Sequence, residues 1–165
     1  MAFVNRFSID IPPTALTGAT DLVQISAATT NPVRVHALLL GQTSEVGDAQ
    51  DEQLSLTWVR GNTVSGSGGS SATPVPLINT TGSLTAASTV QVVNTTPASS
   101  GTAVNVLRQG WAVRSPIVTQ YSGDLVFGTS SSDGLLCLRM SAPADSVTVT
   151  GCVVVEEIQG PGAAG

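Results

Sequence analysis

The stretch Leu135–Glu157, "LLCLRMSAPADSVTVTGCVVVEE", carries the clearest strand pattern in the chain. Two segments that alternate between apolar and other residues flank a run of turn-forming residues centred on Ala144-Asp145. A hairpin with its turn at those two residues would set members of one apolar parity opposite each other: Leu136 and Val153, Leu138 and Gly151, Met140 and Val149. A slip of one residue would destroy this agreement. The pattern therefore predicts two adjacent antiparallel strands.

The same register would place Cys137 directly opposite Cys152. Opposed cysteines can form a cross-strand disulfide, but the required geometry is demanding. The N-terminal sequence "MAFVNRFSIDIPP" has neither a basic start nor a long apolar run, which argues against a signal peptide. We therefore expect two reduced thiols on the second face of the hairpin, although the sequence leaves a bridge open.

The alternation of apolar and other residues continues in segments outside this stretch. Aromatic residues make up 4% and charged residues 10% of the 165 residues, and the abundant Ser, Thr, Gly, Ala and Val favour strands and turns. We predict a single all-β domain over residues 1–158, an antiparallel β-sandwich or jelly roll of about eight strands, with a flexible tail at 159–165. The predicted strands cover residues 3–11, 21–27, 32–42, 53–60, 103–113, 124–127, 135–140 and 146–158.

The segment from about 61 to 101 is rich in Gly, Ser, Thr and Pro and nearly uncharged. Such a composition is typical of a disordered linker, but the segment keeps apolar residues that a linker would not need. Pro74 and Pro76 would stiffen the sequence "TPVPL" into an extended rod. We expect an ordered excursion that returns to the sheet near Val90 and carries Gly66, Gly68 and Gly69 at its tip. Long loops in compact domains are usually functional, so we expect it to contact a neighbouring molecule.

The sequence offers no recognisable catalytic, cofactor or metal site. A P-loop requires lysine, which the chain lacks, and the glycine spacing does not complete a dinucleotide fingerprint. The only histidine, His36, is expected on the solvent side of a strand or in an interface, and a hydrolase built around it is the weakest alternative. Two cysteines and one histidine do not supply four metal ligands, and the acidic loop around Asp48 lacks EF-hand spacing.

Charge and hydropathy exclude further classes of partner. The six arginines are set against eleven acidic residues, for a net charge of −5. A nucleic acid or an anionic membrane is therefore not expected to bind, because phosphate binding depends on cations. The longest apolar runs are far shorter than the roughly 20 residues of a transmembrane helix. We expect a protein that acts by contact with other proteins.

The two tryptophans are expected in different places. Trp58 shares its parity with apolar neighbours and is expected in the core. Trp111 lies between Arg108 and Arg114 and is the better candidate for an interface, because aromatic residues and arginine are enriched at interface hot spots.

Three segments resemble small structural proteins of tailed bacteriophages: "RGNTVSGSGGSSATPVPL" at 60–77, "VVNTTPASSGTAVNVLRQGWAVRSP" at 92–116 and "LRMSAPADSVTVTGCVVVEE" at 138–157. The nearest family is that of the β-sandwich decoration, or cement, proteins of phage heads. The three segments cover about half the chain, and they contain turn sequences rather than the residues of a chemical site. It implies a non-enzymatic virion protein on the capsid surface, assembled in the bacterial host cytoplasm. It also implies a homo-oligomer, commonly a trimer, that binds the major capsid protein and stabilises the shell.

The alternative is a carbohydrate- or receptor-binding module of a phage tail or fibre, which would need an exposed aromatic platform such as Trp111 with Tyr121. For the decoration protein, the expected interaction residues are Arg60, Gly66, Gly68, Gly69, Pro74, Pro76, Arg108, Trp111 and Arg114.

Overall fold

The computed structural model describes residues 5–44, 52–78, 85–123, 125–128 and 134–158. Twelve strands and no helix occur in these residues, and accordingly none of them belongs to a helix that could span a membrane. The predicted tail at 159–165 lies outside the described residues. The strands are β1 (Asn5–Leu16), β2 (Thr20–Ser26), β3 (Val33–Gln42), β4 (Gln53–Asn62), β5 (Ser70–Ala72), β6 (Val75–Pro76), β7 (Thr89–Asn94), β8 (Val104–Ala112), β9 (Ile117–Gln120), β10 (Val126–Phe127), β11 (Leu135–Met140) and β12 (Val147–Glu157).

The strands form two six-stranded antiparallel sheets. In the first, called sheet A, the order is β10-β3-β12-β1-β6, and β9 also pairs with β3. In the second, called sheet B, the order is β5-β7-β2-β11-β4-β8. This confirms the all-β class and an architecture of two antiparallel sheets, while jelly-roll connectivity stays a prediction. Four strands were not among the eight predicted: β5, β6, β7 and β9. Strands β5, β6 and β9 have at most four residues, too few to show a period, and β7 lies where the excursion was expected to return to the sheet.

The core lies between the sheets and is built from the facing sides of their strands. Phe7, Ile9 and Ile11 of β1 are at most 1% exposed, and Trp58 of β4 is buried beside them, as predicted. Burying one apolar face of each sheet supplies the main driving force for this arrangement.

The predicted hairpin between residues 135 and 157 is wrong. Strand β11 lies in sheet B between β2 and β4, whereas β12 lies in sheet A between β1 and β3. The apolar parity was right, because Leu136, Met140, Val149 and Val153 are all buried. The connection between the two strands crosses from one sheet to the other, so the two apolar faces belong to opposite walls of the core. The alternation of apolar residues is the same whether two strands pair within one sheet or face each other across the core, so it cannot distinguish the two arrangements.

The predicted opposition of the two cysteines fails for the same reason. Cys137 is flanked by Gln24 and Val59 in sheet B. Cys152 is flanked by Asp10 and Leu39 in sheet A. Both are free thiols.

A bulge in β3 changes which residues of that strand face the core. The register between β12 and β3 shifts between Val154 and Val155, at the position of His36. One extra residue in a strand reverses the faces that follow it. Leu38 and Leu40 therefore point inward. Leu39, which unbroken alternation would place on the same face as Val35, is 39% exposed.

The excursion is ordered in its described parts and contributes to both sheets. Strand β6 pairs with β1 in sheet A, and β5 pairs with β7 in sheet B. Strand β7 begins at Thr89, next to the predicted point of return at Val90. Residues 79–84 lie outside the described part.

Candidate interaction surface

The glycine-rich segment packs on its own chain. The backbone N–H of Gly66 donates a hydrogen bond to Oε1 of Gln24 at 2.8 Å, and Gly66 is buried. A Cβ at Gly69 would lie 2.3 Å from the carbonyl oxygen of Val92, and Gly68 has a φ of +81°. Only glycine allows this close approach to β7. The three glycines are therefore explained by packing within the chain, and Gly66 is not available to a neighbour.

An ion pair between the buried Asp21 and the partly exposed Arg139 anchors the segment after β7 to the outer face of sheet B. Arg139 Nε donates to Oδ1 of Asp21 at 2.7 Å, and Arg139 Nη2 donates to Oδ2 at 3.1 Å. The backbone N–H of Ala98 donates to Oδ2 of Asp21 at 2.7 Å, and Arg139 Nη2 also donates to the carbonyl oxygen of Ala98 at 2.8 Å. The pairing of Asp21 with Arg139 was not predicted from the sequence. The available signal was an acid inside the apolar run of β2, since a buried charge needs a partner.

Cys137 lies beneath this anchor in a small second core with Ala98 and Leu135. Burial, and secondarily the nearby carboxylate of Asp21, raises the pKa of the Cys137 thiol well above its usual range. The thiolate is the nucleophilic form of cysteine, so Cys137 is a structural residue and not a reactive one.

An exposed apolar strip follows Pro74. Pro74 is buried, and Pro76 pairs with Phe7 at the edge of sheet A. Val75, Leu77 and Ile78 are 59%, 53% and 45% exposed. We call Val75–Ile78 the β6 strip.

Strand β8 forms the opposite edge of the molecule. It is the last strand of sheet B and, among the described residues, pairs only with β4. Val104, Val106 and Leu107 are each more than 40% exposed. An exposed apolar edge strand is a template for pairing with another chain, which proteins usually avoid.

On the core side of β8 lies an apolar pocket of about 350 Å³. Val106 and Leu107 line one wall, and Tyr121 and Leu125 line the other. The Trp58 indole N–H donates to the Tyr121 hydroxyl at 2.8 Å, and the two rings meet edge to face. Burial raises the pKa of Tyr121, and the Trp58 hydrogen bond opposes that effect. The phenol is therefore a neutral, positioned part of the pocket wall.

On the outer side of β8 lies a polar groove of about 290 Å³. Arg108 and Arg139 both line it, and Arg108 Nε donates to Oγ1 of Thr57 at 3.2 Å. Hydroxyl and amide groups complete the lining: Ser55, Ser141 and Asn105. The β8 edge, as we call β8 with this pocket and groove, thus has one apolar side and one polar, hydroxyl-rich side that carries Arg108.

Of the predicted interaction residues, Arg60 and Arg108 lie at the β8 edge, and Arg114 lies in the turn after it. Arg60 is opposite Val104, and all three arginines are exposed. Trp111 was expected to be exposed, which is wrong: it is 1% exposed and its indole N–H donates to the carbonyl oxygen of Ser115 at 2.8 Å.

The orientation of Trp111 follows from a bulge in β8, which its flanking arginines did not reveal. The register between β4 and β8 shifts between Trp58 and Val59, which leaves Val106 as an extra residue in β8. The shift turns Trp111, opposite Leu54, toward the core. A switch of apolar parity along β8, from Val104 and Val106 to Trp111 and Val113, was the signal for this bulge.

His36 lies on the outer face of sheet A and is tied to charged neighbours. Its Nε2 is 2.5 Å from Oε2 of Glu156, and Nη1 of Arg34 is 3.4 Å from the same oxygen. In the described part of the chain, no group of three His, Cys, Asp or Glu residues is placed to hold a metal ion.

Comparison with protein-family models, curated proteins and solved structures gives no match for this chain.

Proposed function

We propose that this protein is a non-enzymatic virion structural protein of the capsid decoration type, which forms a homo-oligomer and binds the major capsid shell. The observation that supports the proposal is that exposed apolar side chains cluster at separate places on the molecule, among them the β6 strip and the β8 edge. Large exposed apolar patches on a folded protein mark sites of contact with other molecules.

The two strips lie at opposite edges of the sandwich. Strand β1, the neighbour of β6, packs against β2 and β7 at one end of sheet B. Strand β8 ends sheet B on the other side, where its pocket is shared with the segment that follows β9. One domain with two distant contact strips suits a protein that holds two different neighbours at once.

In this proposal, one strip joins copies of the protein and the other meets the shell. Closed cyclic symmetry is the common solution for homo-oligomers, and a trimer is the state we propose. Pro76 keeps the β6 strip extended and removes a backbone donor, so we propose that its contacts are made by side chains. The protein would act by burying surface against the shell and holding adjacent shell subunits together.

The test is the native mass of the purified protein, followed by co-sedimentation with capsid shells that lack it. We expect a trimer whose mass does not fall on dilution, and saturable binding to the shells. A monomer that stays in the supernatant at every shell concentration would refute the proposal.

The alternative of a carbohydrate-binding tail module receives less support. Its aromatic platform required Trp111, which is buried, and the hydroxyl of Tyr121 is engaged by Trp58.

A further inference from the structure

We propose that the outer face of sheet A packs against the same face of a second copy of this chain, about a two-fold axis that crosses the strands at Ser8. The inference goes beyond the proposed function and does not depend on it. In the proposed trimer, such a contact would join one trimer to the next.

The outer face of sheet A is a grid of side chains in rows that cross the strands. Directly opposed residues of paired strands project to the same side of a sheet, so the register defines each row. The middle row contains Ala37, Val154 and Ser8. The row on one side of it contains Val118, Leu39, Cys152 and Asp10. The row on the other side contains Val126, Arg34, Glu156 and Arg6.

Exposed apolar side chains occupy the β3 end of these rows. Val118, Leu39 and Val126 are 69%, 39% and 42% exposed. Clustered apolar side chains on a folded surface mark a site of contact. Strands β9 and β10 both pair with β3, so Val118 and Val126 lie along the same edge, on either side of the middle row. A two-fold axis along the middle row would set Val118 of one copy against Val126 of the other.

Two charges of opposite sign occupy the β1 end of the rows. Arg6 and Asp10 are exposed and lie at equal distances from Ser8 along β1. Neither side chain has a hydrogen bond or an ion pair with any group in the part of the chain that the structure describes. Arg34 and Glu156, by contrast, already pair with each other. The same two-fold axis would set Arg6 of each copy against Asp10 of the other, so the ion pair would form twice.

This symmetry is what identifies a second copy as the partner. A two-fold contact requires a surface that complements itself, because each residue meets a different residue of an identical patch. Here valine would meet valine at one edge of the face, and Arg6 would meet Asp10 at the other. Complementary charges fix the register of a contact and disfavour other partners.

The size of the face indicates a weak contact. Strands lie about 4.8 Å apart and rows of one face about 6.7 Å apart, so the face measures roughly 20 Å in each direction. Two copies would bury roughly 800 Å² in total, about half of the 1,600 Å² that is usual in a stable complex. The contact should therefore form at high protein concentration, or between copies held side by side on a shell.

The test is a charge exchange within the full-length protein. Sedimentation equilibrium over a wide concentration range is carried out on the unaltered protein, on Arg6→Glu, on Asp10→Arg and on the double variant. The mass of each at low concentration is its own baseline, and the urea midpoint of each is recorded. The double variant is the matched control, because it has the same composition and net charge as the unaltered protein. Leu39→Asp tests the apolar part, and Leu107→Asp at the β8 edge is its control.

We expect the mass of the unaltered protein to approach twice its baseline as the concentration rises. Each single charge variant and Leu39→Asp should lose at least about tenfold in the pairing constant, because each places like charges together or a charge against apolar side chains. The double variant and Leu107→Asp should pair like the unaltered protein. An equimolar mixture of Arg6→Glu and Asp10→Arg should also pair, because one then presents only acidic groups and the other only basic groups at these positions.

The position of the axis has its own readout. Residues of the middle row lie opposite themselves, and facing sheets are about 10 Å apart. A short bismaleimide should therefore cross-link two copies of Ser8→Cys in a Cys152→Ser background. Adding Arg6→Glu should lower the yield.

The possible failures are distinct. If the unaltered protein never exceeds its baseline mass, or if the double variant and the mixture fail to pair, this inference is overturned while the proposed trimer and its shell binding can still hold. If single charge variants lose shell binding and the double variant does not regain it, the face meets the shell, which also overturns the inference. A monomeric baseline that doubles in mass would refute the proposed trimer and support the two-fold contact.

Discussion

Replacing Asp21 by asparagine should loosen the segment that covers Cys137. The Asp21 side chain is fully buried and receives hydrogen bonds from Arg139 and from the backbone of Ala98. Asparagine has nearly the same shape but no charge, so the Arg139 guanidinium loses its counter-ion. Since the same guanidinium also holds the carbonyl oxygen of Ala98, the change weakens both ties to that loop.

The expected loss follows from the burial of the two partners. Removing one member of a fully buried ion pair costs about 3–5 kcal/mol. The Arg139 side chain is 28% exposed, so water compensates part of this, and we expect a loss of about 2–3 kcal/mol. For a domain of this size that corresponds to a fall in Tm of about 5–10 °C.

Two assays follow this change. Urea unfolding of Asp21→Asn, Arg139→Gln and the double variant gives a coupling energy, which should be at least about 1.5 kcal/mol for two groups in direct contact. Thiol labelling of Cys137, in a Cys152→Ser background, reports opening of the loop. If the loss in stability acts mainly on the loop, labelling of Asp21→Asn should be about 30-fold faster than without that change.

Additive effects of the two substitutions, together with an unchanged labelling rate, would refute the role given to this pair. Faster labelling also in Arg6→Glu, a change on the other sheet, would show that any loss of charge balance opens the loop, and would equally contradict the local explanation.

Four further outcomes are expected. Gly69→Ala should lower the free energy of unfolding in urea by about 2–3 kcal/mol, because the new Cβ collides with the backbone of β7. Gly41→Ala, with nothing within 4 Å of the new Cβ, should change it by less than about 0.5 kcal/mol. Equal effects of the two substitutions would contradict the packing argument. Val93 has a φ of 58°, a strained value for a β-branched residue, so Val93→Gly should destabilise about 1–2 kcal/mol less than Val92→Gly in the same assay. Trp111→Ala should lower stability by about 3–5 kcal/mol, as expected for a core residue, and a variant of unchanged stability would restore Trp111 as a surface contact. Burial raises the pKa of Cys137 above its ordinary value of 9.0, so the folded state holds the thiol proton more tightly than the unfolded state. The resulting contribution to stability is complete below pH 9 and is lost as the pH rises further. The urea midpoint should therefore fall above pH 9, and less steeply in Cys137→Ala.

The faces of the strands could be predicted from the sequence wherever the alternation was unbroken. Leu54, Leu56 and Trp58 in β4 share a face and are buried, as their parity indicated. Such a pattern is a local property, because successive side chains of a strand alternate whatever the strand pairs with. Bulges interrupt it: the alternation breaks at His36 in β3 and at Val106 in β8.

The candidate site was predictable only in part. Arg60 and Arg108 were singled out for their charge and do lie at the β8 edge. Tyr121 and Asn105 belong to the pocket and the groove, but residues that meet there come from strands and turns far apart in the chain. The glycines pointed to a special conformation, but the atoms they approach are on β7, which the sequence does not reveal.

The sequence by itself determined that the chain forms antiparallel strands and which residues of most strands are buried, since composition and alternation are written within each segment. Only the tertiary structure settled which strands are neighbours. For Leu135–Glu157, pairing side by side and facing across the core bury the same apolar residues, so the local pattern cannot choose between them. The choice depends on β1, β2, β3 and β4, which pair with the two strands from elsewhere in the chain and draw them into different sheets.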